Sequence, residues 1–182
     1  MEKKYKLTDE TVIVDGRTLH RIEALKDFSN VKKGDKGGFI EKEDNLSQSG
    51  NCWVYGGAKV YDNAVVCGNA EVYETARVYG NAKVRGNAMV YGDAVISDNA
   101  KVNGDAVVYG NAEVYNNAEV FGNAEVYGNA MIYGNAMVCG NAWVCGNAEV
   151  YDNGAVYGDG LVYGNAEIYG DREVHGNEKV GE

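Results

Sequence analysis

At 182 residues the chain has the length of one domain, and it carries a net charge of −10 with a pI of about 4.7. That balance argues against a protein that tracks nucleic-acid phosphates or lies on an anionic membrane. No apolar run reaches the ~18 residues of a membrane span, and the opening Met-Glu-Lys-Lys-Tyr-Lys lacks the apolar stretch of a signal peptide.

Residues 1–10 are mostly charged and read as loose. Thr11 to Ile22 read as a β-hairpin around Asp15-Gly16, a dipeptide suited to a two-residue turn. Glu23 to Val31 can hold a short turn of helix ending near Phe28. Lys32 to Gly38 form a turn-rich basic loop, and Phe39-Ile40 an apolar plug. Residues 1–44 together read as an N-terminal cap, with a separate binding head as the other reading. A rod of stacked strands exposes a sheet edge that needs covering.

From about Asn51 onward one phrase repeats, Gly-Asn-Ala-x-Val-Tyr, with Asn45-Leu46 as a ragged hexad before it. Val or Ile stands at every sixth position from Val54 to Val180, 22 times without insertion or deletion. Ala follows four residues after Val in 17 places, and Gly two after it in 16. A period of six fits neither a 3.6-residue helix nor a plain alternating strand. It fits a two- or three-residue strand and a corner. Val and Ala point inward, the residues flanking Val point outward, and Gly-Asn makes the corner. The expectation is a positive φ at the Asn position, with Gly57 well suited and Thr75 awkward. Three sides close a triangular coil of 18 residues, giving about seven coils over residues 45–182. The fold class is therefore all-β, a parallel β-helix with a small hairpin-bearing cap. Toward the end Gly154 and Gly160 replace Ala, then Arg172 and Glu178 take the inward place, which reads as a polar end cap or a fraying turn.

The period assigns every outward residue to a wall. The first wall carries Trp53, Tyr55, Tyr73, Met89, Tyr91, Val107, Tyr109, Tyr127, Trp143, Leu161 and Tyr163, with few charges. Tyrosines one strand apart can stack, which is a structural role. A continuous apolar stripe is also more than a monomer usually leaves wet, so this wall is the candidate interface. Lys83, Arg85 and Lys101 cluster on the third wall with Arg77 across a corner. They are either an anion site for phosphate or carboxylate or a solvated patch.

The four cysteines, Cys52, Cys67, Cys139 and Cys145, match no zinc spacing. In the coil geometry no two approach the ~4.4–6.8 Å Cα separation of a disulfide. The expected compartment is a reducing cytoplasm, with no metal and no bound cofactor.

Aliphatic and small residues four apart in a hexad resemble the hexapeptide repeat of left-handed parallel β-helices. Ala24 to Ile40, then Asn45 to Tyr55, resemble the opening of YdcK-type hexapeptide-repeat proteins, which are labelled acyltransferases. That resemblance implies the left hand, a trimer, and, if the activity carries over, a His general base with coenzyme A held by basic residues. The residues themselves favour another reading. Only His20 and His175 are available as bases. His20 lies on the expected hairpin and His175 on the last coil, and neither sits in a walled pocket. A non-catalytic scaffold or binding module, self-associating or holding a protein partner, therefore ranks first. An acyltransferase using acyl-CoA ranks second, and an acidic nucleic-acid mimic that inhibits a host protein third. An ice-binding array fails because Thr75 is the lone Thr of the repeats.

Overall fold

The computed structural model describes residues 2–181. The chain opens with an antiparallel hairpin, β1 (Tyr5–Val14) and β2 (Arg17–Ala24). Asp15 and Gly16 turn it with φ of 51° and 76°, the paired left-handed geometry of a tight hairpin. The loose start expected for residues 1–10 is corrected from Tyr5 onward, where β1 begins, and Met1 lies outside the described residues. Tyr5 is fully buried there, its hydroxyl oxygen 2.6 Å from the Leu46 carbonyl oxygen and 2.9 Å from that of Glu43. Tyr5 and the buried Lys4 anchor the segment, and β1 pairs along β2. No helix forms between Glu23 and Val31. Phe28 and Val31 instead exchange backbone hydrogen bonds across a tight turn, and the one helical turn nearby is 3-10, at Glu43–Asn45.

β3 (Lys36–Ile40) pairs antiparallel with β2 and parallel with β5 (Lys59–Val60), so it joins the hairpin to the repeats. β4 (Trp53–Val54), β5 and β6 (Val65–Val66) begin the first, second and third walls. Each pairs in parallel with the equivalent strand of the next coil: Trp53 with Glu71, Lys59 with Arg77, Val65 with Lys83. The same step continues to Lys179 on the first wall, Glu167 on the second and Glu173 on the third. The fold is thus an all-β parallel solenoid of 18 residues per coil, as the hexad requires. It has about eight coils, against the expected seven. The extra coil comes from outside the repeat. Ile40 pairs with Val60 and Leu46 bridges Val66, each across a step slightly longer than three hexads, so the cap supplies the first, irregular turn of the stack.

Inside the prism the Val and Ile side chains from Val54 to Val174 are fully buried, with the Ala series between them. Each buried Val is worth roughly 1.5–3 kcal/mol. Ala is required because the chain has just turned the corner and larger side chains would meet at the axis. The corners correct one expectation. Positive φ falls on the Gly position, not on the Asn position that follows. Gly56 has φ 56° while Gly57 is ordinary, and Glu74, not Thr75, takes 57°. At most corners the next residue is an amide whose side chain is held in a ladder. Asn63 donates to Asn81, Asn81 to Asn99, and so on through Asn117, Asn135 and Asn153 to Asp171, each step 3.0–3.3 Å.

Within the stack a coil donates N–H groups to the carbonyls of the coil after it, as Trp53 does to Ala70 and Val65 to Ala82. The first regular coil has no such donor before it, and the cap replaces one. Phe39, Glu41 and Ser47 give backbone N–H groups to Ala58, Val60 and Val66. Side chains fill the other places. Asn45 Nδ2 donates to Asp62 (3.1 Å) and Ala64 (2.9 Å), and the buried Lys4 ammonium donates to Cys52 (2.9 Å) and Gly50 (3.3 Å). Every backbone group needs a partner when buried, and here an amide and an ammonium stand in for missing strand N–H groups.

Candidate interaction surface

Most outward side chains of the first wall are uncharged. Its outward columns run parallel to the rod, one beginning with Trp53 and Glu71 and the other with Tyr55 and Tyr73. Trp53 is corrected as a surface residue. It is 1% exposed, with the rings of Tyr5 and Phe28 set edge-on against it at 6.1 and 5.3 Å. Tyr55 is also engaged, its hydroxyl within 3.0 Å of both Asn30 and Glu71. The cap therefore covers the first row, and the open wall starts at Glu71.

Below that row the expected residues share one face. Tyr55 stacks on Tyr73 at 4.5 Å, and Tyr91, Tyr109 and Tyr127 stack at 4.9 Å per step with planes 9° apart. Their edges, not their faces, meet solvent. Met89 is 37% and Trp143 47% exposed, while Val107 and Leu161 are half-buried. Between the Trp143 and Leu161 rows lies a groove of about 300 Å3, lined also by Asn141, Asp159 and Lys179. Sequence reasoning misses Lys179, Asn141 and Asp159. For Lys179 a signal exists, since the coil step alone places it under Leu161.

Tyrosine hydroxyls are used across coils. Tyr133 donates to Glu149, Tyr151 to Glu167 and Tyr157 to Glu173, at 2.6–2.9 Å, each acceptor 16 residues on. Burial, with the Glu149 carboxylate beside it, pushes the Tyr133 pKa well up. The hydrogen bond to Glu167 raises Tyr151 to about 12. Where Trp143 replaces the glutamate, the Cys145 thiol beside Tyr127, with burial, also lifts its pKa to about 12.

The basic candidates are split by the walls. Lys83 and Lys101 are neighbours on the third wall, with Arg85 beside Lys83, while Arg77 lies next to Lys59 on the second. Lys101 is paired with Glu119 at 2.5 Å. Among the described residues, Arg77, Lys83 and Arg85 have no carboxylate within ion-pair distance. The acidic charge lies elsewhere: residues 105–171 hold nine Asp or Glu and no Lys or Arg.

The two histidines sit at opposite ends. His20 is on β2, its Nδ1 3.0 Å from the Thr8 carbonyl oxygen, and His175 stacks on Tyr157 at 5.4 Å. Neither lines the groove at Trp143 or the polar one of about 540 Å3 along the Asn81–Asn135 corner. All four cysteines are free thiols, with Cys52 buried beside Lys4. Among the described residues no cluster of His, Cys, Asp and Glu is arranged to hold a metal ion, and no helix is long and apolar enough to cross a membrane.

Comparison with known proteins agrees with the geometry of the repeats. A family model described as the YdcK β-solenoid repeat matches residues 124–140 and 130–146. A 61-residue segment is 39% identical to the "Uncharacterized acetyltransferase YdcK" of Escherichia coli (strain K12), covering 29% of this chain and 19% of that protein. The match thus spans about a fifth of the relative's length. Residues 124–146 thus match the YdcK β-solenoid repeat, in line with the sequence resemblance.

Proposed function

We propose that this solenoid is a non-catalytic scaffold that offers its first wall to a protein surface, either a second copy or another partner. The observation that supports the reading most is the exposed Met89 and Trp143 on an open wall with few charges. Beside Met89 the stacked Tyr91, Tyr109 and Tyr127 rings are already ordered, so their contact costs little further side-chain entropy. Catalysis would need a base within hydrogen-bond reach of a substrate proton. His20 and His175 lie at opposite ends, outside both grooves. The free thiols suit a reducing, cytoplasmic setting.

A second reading is favoured by the relative whose printed name is acetyltransferase. In it Lys83, Arg85, Lys101 and Arg77 would hold the coenzyme A phosphates. A thermal-shift titration with coenzyme A, acetyl-CoA and nucleotide sugars separates the two. The scaffold reading expects no saturable shift. A saturable shift with acetyl-CoA that Arg85→Ala removes, together with acetyl transfer to any acceptor, would refute it.

A further inference from the structure

We infer that the first wall is self-complementary and joins two copies of this chain as antiparallel rods. The inference rests on the scaffold reading and names its partner. Consider a two-fold axis lying across the wall, at right angles to the rod. It reverses the order of rows and keeps each outward column facing the same column of the other copy. Below Trp53, which the cap already covers, seven described rows run from Glu71 to Lys179. The middle row is Glu125.

With the axis at Glu125 the contents of the rows match. Glu71 meets Lys179 of the second copy, Met89 meets Leu161, and Val107 meets Trp143. Opposite charges face each other at both ends, and uncharged side chains face each other between them. The exposed Met89 is aimed at the groove between Trp143 and Leu161, so a protruding side chain meets a hollow. Tyr91 faces Tyr163, whose ring is exposed. Within one chain Glu71 and Lys179 are six rows apart, about 29 Å at ~4.8 Å per strand, and cannot pair. The one mismatch is the axis itself, where the two Glu125 carboxylates meet. Seven rows of that spacing on a wall about 14 Å wide bury roughly 900 Å2 over both copies, the range of weak, reversible association.

Sedimentation equilibrium and light scattering of the full chain, from about 10 to about 500 µM, test this. The expected result is a concentration-dependent approach to about 39 kDa, twice 19.6 kDa. Lys179→Glu and Glu71→Lys each weaken the dimer about 3- to 20-fold, since the symmetry repeats each pair. The double charge reversal restores it, which a parallel arrangement would not do. Met89→Lys abolishes dimerisation, and Glu125→Gln tightens it by relieving the repulsion at the axis. Circular dichroism melts confirm that each variant is folded. If Glu71→Lys fails that check because Tyr55 and Tyr73 lose their acceptor, the Met89, Glu125 and Lys179 variants still decide. A monomer at the highest concentration, a trimer, a folded double variant that stays weak, or a Glu125→Gln variant that loosens would each overturn the dimer. None of those results touches the acetyl-CoA titration that tests the scaffold reading.

Discussion

The corner ladders have a direction, and that direction makes Asn and Asp opposite in effect at neighbouring sites. Each Asn donates its amide to the oxygen of its counterpart in the next coil. An Asp can accept but cannot donate. In the ladder Asn69–Asn87–Asp105, the Asn87 amide reaches Asp105 at 2.8 Å. The chain of bonds then restarts at Asn123, which donates to Asn141 at 3.0 Å. In the neighbouring corner Asn117 both accepts from Asn99 and donates to Asn135, each at 3.2 Å. Asn117→Asp removes one donated bond, worth about 0.5–1 kcal/mol at this exposure, and sets a carboxylate against the Asn135 oxygen. The bond accepted from Asn99 becomes charge-assisted and returns part of that. The net loss is about 0.5–1 kcal/mol, a fall in Tm of about 1–4 °C for a chain of this size. Asp105→Asn does the reverse, closing the gap to Asn123 and raising Tm by about 1–2 °C. Melts followed by circular dichroism at pH 7 are repeated in ~1 M salt, where the screening length is ~3 Å and the altered net charge no longer matters. Shifts of the same sign, or shifts that vanish in high salt, would refute the directional ladder.

Gly122 has φ 74°, and a Cβ there would lie 2.9 Å from the backbone of Gly140. Gly122→Ala is expected to lower stability by about 1–3 kcal/mol in denaturant melts. Gly170→Ala, with no atom within 4 Å of the added carbon, should cost clearly less. Tyrosines raised above their usual pKa stabilise the fold fully below pH 10. That contribution is lost as pH climbs through their folded values, near 12 for Tyr127 and Tyr151. Absorbance at 295 nm should therefore show most tyrosinate forming late and together with unfolding, whereas 14 groups titrating near pH 10 would contradict it. Lys4→Ala should destabilise the chain by about 2–4 kcal/mol, because the Cys52 and Gly50 carbonyls lose their donor.

The hexad alone makes the coil length, the wall of every outward residue and the buried Val and Ala series readable. Side-chain period and chain geometry leave one solution for a strict repeat of six. The tyrosine stacks follow from the same step. What escapes is whatever the repeat does not encode. Trp53 has the sequence context of a surface residue, and only the non-repeating Tyr5 and Phe28 bury it. Tyr5 sits among charges that hide its role as an anchor. The corner conformation is misread by one residue because Gly and Asn both tolerate positive φ. The backbone takes the first of the two, even at Gly56–Gly57, where the second has no side chain. The groove at Trp143 needs three rows read together.

Because one coil is three hexads, the walls keep count. Duplicating a whole coil would add a storey and leave every later side chain on its own wall. Duplicating a single hexad would turn the whole remainder of the rod by a third of a revolution. The core would not notice, since each wall presents the same Val and Ala inward. The outside would: Met89 and Trp143 could be sent to different walls by an insertion between them that leaves the fold intact. For a protein built this way, length can change without harm to folding, yet the pattern it shows its surroundings survives only when complete turns are gained or lost.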